Sequence, residues 1–380
     1  MPDDGATADA SPRLVDGTVR RPVGQAPVRP PVRPPVAPML ARLARELPRD
    51  EFSFEPKWDG FRALAFRQGD DVDIRSRHDR PFSRYFPELV EALVALPDES
   101  FVVDGEIVSA TEQGFDFAAL LGRLHPAASR VERLRHEAPA AFVAFDLLAL
   151  GGSDLRERPF TERRAALERL LAGAEPPLFI TPLTRDRSVA QGWLDRYQGA
   201  GVDGVVAKHR DLRYEPGVRA MVKVKREQTA DCVVGGVRPV LSGERAVASL
   251  LLGLYDDAGL LHHIGVASAF PRAQRYELFE ELLPLAVSID SHPWARGFLI
   301  EGGALGRLKG SAGRWTPDME LEWVPIRPDR VCEVGFSQVD HRRLRHPARF
   351  KRWRPDREAG SCLVDQLEPD AAPLRELLPL

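Results

Sequence analysis

The chain has little sulfur to work with: three cysteines in 380 residues, at 232, 332 and 362. An odd number at such spacing argues against both a disulfide framework and a zinc cluster. Buried structural thiols are the remaining reading. No apolar run approaches the roughly 18 residues that a membrane span needs, and the opening MPDDGATADASP lacks the basic-then-apolar layout of a secretory signal, so a cytoplasmic protein with no membrane partner is expected. Net charge is nearly absent too, 53 Lys and Arg standing against 56 Asp and Glu. A uniformly basic nucleic-acid binder is thereby excluded, and any nucleic-acid surface must be a local patch. What is present, 43% hydrophobic and 29% charged residues over this length, describes a soluble chain of about two domains.

Residues 1–36 carry no apolar periodicity, and Pro22, Pro27, Pro30, Pro31, Pro34 and Pro35 stiffen the end of the segment. A disordered, proline-rich arm is the expectation. From 37 to 228 strand-like and helix-like pieces alternate. Residues 40–47 read as a short helix, 54–67 as a turn holding Lys57 followed by a strand, 71–76 as a second strand and 86–96 as a helix. TERRAALERLL at 161–171 reads as an amphipathic helix with Leu167, Leu170 and Leu171 on one face. An α+β domain follows from that mixture. From 229 to 360 short apolar runs predict strands at 232–237, 248–255, 260–266, 322–326 and 330–336, with a helix near 274–283. That pattern suggests a small β-barrel. Residues 361–380 read as an ill-ordered tail.

Charged and aromatic residues interrupt several of the apolar runs. EPKWDGFR at 55–62 sets Lys57 beside an Asp59-Gly60 turn, and FVVDGEIV at 101–108 buries Glu106 in a strand pattern, where an unpartnered carboxylate costs several kcal/mol. AFDLL at 144–148, VDGVVAK at 202–208 and MVKVK at 221–225 follow. In the last, a strand places Lys223 and Lys225 on one face and Val222 and Val224 on the other. Two ammonium groups aimed the same way repel unless an anion lies between them, although a solvated edge strand would look the same. Residues 341–357 carry eight Lys or Arg against one Asp, with Leu344, Phe350 and Trp353 interleaved, which suggests a surface that packs as well as binds.

Taken in order, these stretches resemble the nucleotidyltransferase motifs of ATP-dependent DNA ligases, RNA ligases and mRNA capping enzymes. The wording PMLARL before the lysine and RYFPEL after it is similar to bacterial repair-type ATP-dependent DNA ligases, including the ligase domains that work with a break-repair polymerase. The resemblance runs over roughly residues 37 to 362. It implies an ATP-grasp-like adenylation domain of antiparallel sheets and helices followed by an OB-fold barrel, and sealing of nicked double-stranded DNA in repair through a lysyl-AMP intermediate. ATP is the implied co-substrate and Mg²⁺ or Mn²⁺ the implied metal. A monomer is expected, with a separate repair polymerase or end-binding protein as partner. An RNA ligase, a capping-type enzyme and a non-catalytic nucleic-acid-binding relative stay open as alternatives.

The resemblance also implies roles. Lys57 would be the nucleophile, with Asp59 and Arg62 in the catalytic group. Glu55, Arg77, Glu106, Phe145, Lys208, Lys223, Lys225 and Arg354 would bind ATP. Phe145 would stack on adenine, Glu106 would bond the ribose or support the metal, and the Lys223 and Lys225 pair would contact the α-phosphate. Arg77 would also help hold the 5′-phosphate of the nick. Asp203 stands where most relatives have glutamate, so with Glu106 it would serve the metal, through water more readily than directly. Arg354-Pro-Asp356-Arg357 departs from the family's RxDK ending by an arginine. Free lysine is neutral in only about one molecule in a few thousand at pH 7, so the site is expected to lower the pKa of Lys57 through burial and nearby cations, against the pull of Asp59 and Glu106.

Overall fold

The computed structural model describes residues 28–111, 114–124, 127–197, 201–296, 323–340, 342–368 and 372–378. In the first domain a four-stranded sheet runs in the order Ala41–Ala44, Met221–Val224, Val202–His209, Phe52–Trp58. A larger sheet is built on Phe61–Gln68, Ser100–Thr111 and Ala140–Leu150, with Asp71–Ser76 at one edge. The two sheets are mixed rather than wholly antiparallel: Ala41–Ala44 pairs parallel to Met221–Val224, and Leu178–Ile180 pairs parallel to Ala140–Leu150. Pro87–Ala95 and Phe160–Leu170 are helical, within a residue or two of the expected spans. Their leucines Leu89, Leu93, Leu167 and Leu170 are buried against the larger sheet.

Lys57 lies at the seam between the sheets. Pro56 and Lys57 belong to the strand Phe52–Trp58, not to a turn, and only Asp59-Gly60 separates that strand from Phe61–Gln68 in the other sheet. A Cβ on Gly60 would stand 2.1 Å from the carbonyl oxygen of Ile107, so no side chain fits where the chain changes sheet. A second glycine shapes the opposite wall. Gly204 has φ +141, sits in a register shift between Val202 and Val205, and would press a Cβ to 2.2 Å from the Val224 carbonyl oxygen. That irregularity presents Asp203 toward Lys225.

The second domain closes as a barrel. Gln228–Pro239 pairs with Val247–Tyr255, which pairs with Leu261–Ser268, which pairs parallel with Ala348–Trp353, which pairs with Val331–Phe336, and that strand returns to the first. Five strands in this closed order, with the helix Arg272–Leu282 between the third and fourth, make an OB-fold. The three cysteines lie buried and unpaired in its core, Cys232 directly across from Cys332.

Of four expectations, three are corrected, and that of a basic run that packs is met. Residues 40–47 hold the strand Ala41–Ala44 instead of a helix: a segment this short cannot bury a helical face, while at a sheet edge the Leu40 carbonyl accepts from the Met221 N–H and the Leu40 N–H donates to the Val218 carbonyl. The arm is packed from residue 28: Val32 is buried with Met39, Leu64 and Phe66, whereas residues 1–27 lie outside the described residues. The basic run contains the barrel strand Ala348–Trp353, whose Phe350 and Trp353 pack on the barrel core. The tail is ordered where described: Cys362 and Leu367 join the barrel core, and Leu374 and Leu378 are buried in the first domain.

Gly204→Ala is expected to cost about 2–4 kcal/mol, seen as a lower denaturation midpoint, because both backbone and space forbid the methyl group. Gly173→Ala, at φ +77 with nothing within 4 Å, is expected to cost only about 1 kcal/mol.

Candidate active site

A cleft of about 380 Å³ opens between the sheets, a size that suits a small ligand. Glu55, Lys57, Arg62, Arg77, Glu106, Phe145, Lys208 and Lys223 line it, so eight of the expected residues converge. Lys57 connects the cleft to two more. Its Nζ donates to Asp203 Oδ2 at 2.7 Å, and Lys225 Nζ reaches the same oxygen at 2.5 Å. The carboxylate is the anion that lets these two ammonium groups stand together.

That arrangement reverses the expected direction for Lys57. Burial, the largest single influence, pulls its pKa down, but Asp203, with Glu106 and Asp59 behind it, outweighs burial and the net direction is up. The amine is held as an ammonium ion while the cleft holds no nucleotide. Lys223 goes the other way: burial and the neighbouring Lys225 and Lys57 lower its pKa. Glu106 receives the Gly60 backbone N–H at 3.2 Å. Burial pushes its pKa up to about 7 in spite of Lys57 and Arg62. A carboxyl whose charge is disfavoured by burial and which lines the cleft suits a cation, which would hold it ionised.

Arg62 faces the cleft over the Phe145 ring at 5.3 Å, with its Nε and Nη2 bonded to Asp104 at 3.0 and 2.7 Å. Tyr214, buried, donates its hydroxyl to the same carboxylate at 2.7 Å and accepts from the Met39 N–H. Arg62 is thus aimed by a buried Asp-Tyr pair. Asp104 and Tyr214 escaped the sequence reading, although a carboxylate inside FVVDGEIV signals that a buried partner must exist.

Lys208 corrects another expectation. It is buried, its Nζ bonded to the Phe145 carbonyl at 2.7 Å and paired with Glu55 at 2.9 Å, with Asp146 at 3.7 Å. Its charge is spent supporting Phe145 from below, and a phosphate would find it already engaged. Burial, countered by Lys208 and Arg164, raises the pKa of Glu55. The Oε1 of Glu55 makes no hydrogen bond, although Arg164 Nη1 stands 3.5 Å from it.

Arg354 is not brought to the cleft. It sits on the barrel, bonded to Asp231 at 2.8 and 2.9 Å and to Asp356, with Arg357 3.5 Å from Asp231. The barrel instead sends Arg345, which donates to Asp59 at 2.6 Å and lies 3.3 Å from the Phe117 ring centroid. Nothing in the basic run distinguishes Arg345 from its neighbours, because its role depends on where a second domain docks. Arg42 and Arg219 also line the cleft and were not foreseen. Among the described residues no group of three His, Cys, Asp or Glu could hold a metal by itself. Magnesium fits such a site all the same, because it usually takes one or two carboxylates and completes its shell with phosphates and water.

The raised Glu106 pKa has a consequence for stability. The folded protein binds this proton more tightly than the unfolded chain, so the group's contribution is complete below about pH 4.5 and lost as pH rises through about 7. Glu106→Gln removes that dependence. Between pH 5 and 8 its stability relative to the parent protein should rise by about 2 kcal/mol, measured by denaturant titration; a constant difference would contradict the assignment.

The family described as ATP dependent DNA ligase domain matches residues 37–225, and that described as ATP dependent DNA ligase C terminal region matches 243–357. DNA ligase C2 of Mycolicibacterium smegmatis is 53% identical over 320 residues, covering 83% of this chain and 90% of that protein. DNA ligase C of Mycobacterium tuberculosis is 49% identical over 338 residues, covering 88% and 94%. A solved Lig E DNA ligase, 16% identical, covers 83% of this chain and 99% of its own with a TM-score of 0.50, a likeness of fold. Among the described residues no helix is long and apolar enough to cross a membrane. With a nucleotide-sized cleft around a half-buried lysine, an OB-fold beside it and relatives matching along most of their length, the chain belongs to the ATP-dependent DNA ligases.

Proposed function

We propose that Lys57 takes AMP from ATP and passes it to the 5′-phosphate of a nick in duplex DNA, which the adjoining 3′-hydroxyl then seals, and that repair is the setting. The observation that carries this reading is the Lys57–Asp203–Lys225 triad beside a cleft whose lining includes Arg62, Arg77, Lys223, the Glu106 carboxyl and the half-buried Phe145 ring. In the first step Nζ forms a bond to the α-phosphorus while the bond from that phosphorus to the bridging oxygen breaks and pyrophosphate leaves. The lysine must first shed a proton. Asp203 Oδ2, 2.7 Å from Nζ, is the acceptor within reach of that proton, and Lys223 and Lys225 beside the bound phosphates oppose the pull of the polyphosphate toward the ammonium form.

Glu106 and Asp203 are the carboxylates we assign to Mg²⁺, Asp203 through water, and the ion would supply charge neutralisation on the phosphates. Arg62, fixed by Asp104, and Arg77 serve the sugar-phosphate end, where positioning and neutralisation do most of the work in displacement at phosphorus. Adenine lies against Phe145, and Oε1 of Glu55, which has Arg164 at 3.5 Å and no hydrogen bond, accepts from its exocyclic amine. Guanine presents a carbonyl there, and two acceptors facing each other disfavour GTP. The phosphoramidate nitrogen can be reprotonated, so the nucleotide is held covalently yet remains transferable. Asp59, held by Arg345, ties the reacting centre to the barrel that would cover the duplex.

Incubation with α-labelled ATP should label the parent chain and leave Lys57→Ala and Lys57→Arg unlabelled. Glu55→Gln should label more slowly with ATP and discriminate less against GTP. Label on Lys57→Ala equal to the parent would sink the reading. Asp203→Asn should lower the labelling rate at least about tenfold, because Nζ would lose both the carboxylate that positions it and the acceptor of its proton.

A further inference from the structure

We infer that residues 372–378 are a leash that keeps the barrel over the cleft, and with it the Arg345–Asp59 contact. The inference rests on the ligase reading above. Two segments join the domains. The first is short: Lys225 stands on Asp203 in the cleft, and the barrel's first strand begins at Gln228. The second comes after the barrel is complete. Cys362 and Leu367 are built into the barrel core, the Tyr255 N–H donates to the Cys362 carbonyl, and the Gln366 side chain bonds both backbone groups of Asp231.

The chain then returns to the first domain. The Ala372 N–H donates to the Arg196 carbonyl at 2.7 Å, and Glu376 receives Arg196 at 2.8 Å and the Tyr197 hydroxyl at 3.0 Å. Leu374 and Leu378 are 4% and 2% exposed, in one cluster with Leu47, Leu194, Val222 and Val224. Those valines flank Lys223 on its strand, so the leash is anchored to the back of the catalytic sheet.

Three residues separate Glu368 from Ala372, and fully extended they span at most roughly 14 Å between those Cα atoms. A body held at two short crossings turns only about the line between them. While the leash is docked, Arg345 stays near Asp59 and Arg354 and Arg357 stay with Asp231, away from the cleft. Any larger swing of the barrel requires the leash to let go.

Inserting about twelve Gly and Ser residues after Glu368 lengthens the leash without touching its anchors. The effective concentration of the barrel over the cleft should fall about tenfold, following the −3/2 power of linker length. The KM for nicked duplex, measured with pre-adenylated enzyme, should rise to a similar extent, while labelling by ATP is undiminished. Leu374→Ala with Leu378→Ala should move KM the same way. A KM within about twofold of the parent in the insertion variant overturns the leash, including when the double variant alone is impaired, since that would mark the segment as packing only. Dyes placed one on each domain read the motion without nucleotide: a distance distribution that fails to broaden on insertion also overturns it. Failure of the parent chain to take label from ATP would instead strike the ligase reading, and the dye measurement separates the two.

Discussion

One carboxylate shared by two ammonium ions organises this protein. Asp203 accepts from Lys57 and Lys225, which arrive from different strands of one sheet, and neither cation would stand so close to the other without it. The backbone makes that meeting available at two glycines. At Gly60 the chain passes against the Ile107 carbonyl to change sheets, and at Gly204 it bulges against the Val224 carbonyl. The chemistry at Lys57 is therefore anchored in backbone sterics rather than in the lysine itself.

The surrounding charges divide into two layers. Facing the cleft are groups with charge to offer: Arg62, Arg77, Lys223 and the Glu106 carboxyl. The second layer holds pairs engaged with protein partners, Asp104 with Tyr214, Asp146 with Arg163, and Lys208 with Glu55, of which the last two residues also reach the cleft wall. A buried ion pair contributes little net stability once desolvation is counted, yet here Asp104 fixes the Arg62 guanidinium and Lys208 holds the Phe145 carbonyl beside the cleft. The cost of burying them is offset by preorganisation, which is what displacement at phosphorus needs from a protein.

The barrel meets the catalytic domain through an unexpected residue. The RxD ending, where the family resemblance points, is turned inward on the barrel to Asp231, and the side chain that reaches the reacting centre is Arg345. One domain can face another in more than one way, and local sequence carries no record of which face is presented.

Much was legible from order and pattern alone. The run of motifs from Lys57 to Lys225 named eight residues that do converge on one cleft, because each motif places a charged side chain at a fixed parity of a strand, and parity is a local property. The helices over Pro87–Ala95 and Phe160–Leu170 and the barrel strands follow the same logic of period. Tertiary structure alone decided the rest. Residues 40–47 became a strand because a sheet edge was waiting for them. Residues 372–378 became ordered because the first domain offered them an apolar cluster. The sign of the Lys57 shift and the occupied state of Lys208 depend on carboxylates brought from 146 residues away in one case and from 62 and 153 in the other. Electrostatics acts through space, so the state of a charge is read only once the chain has folded around it.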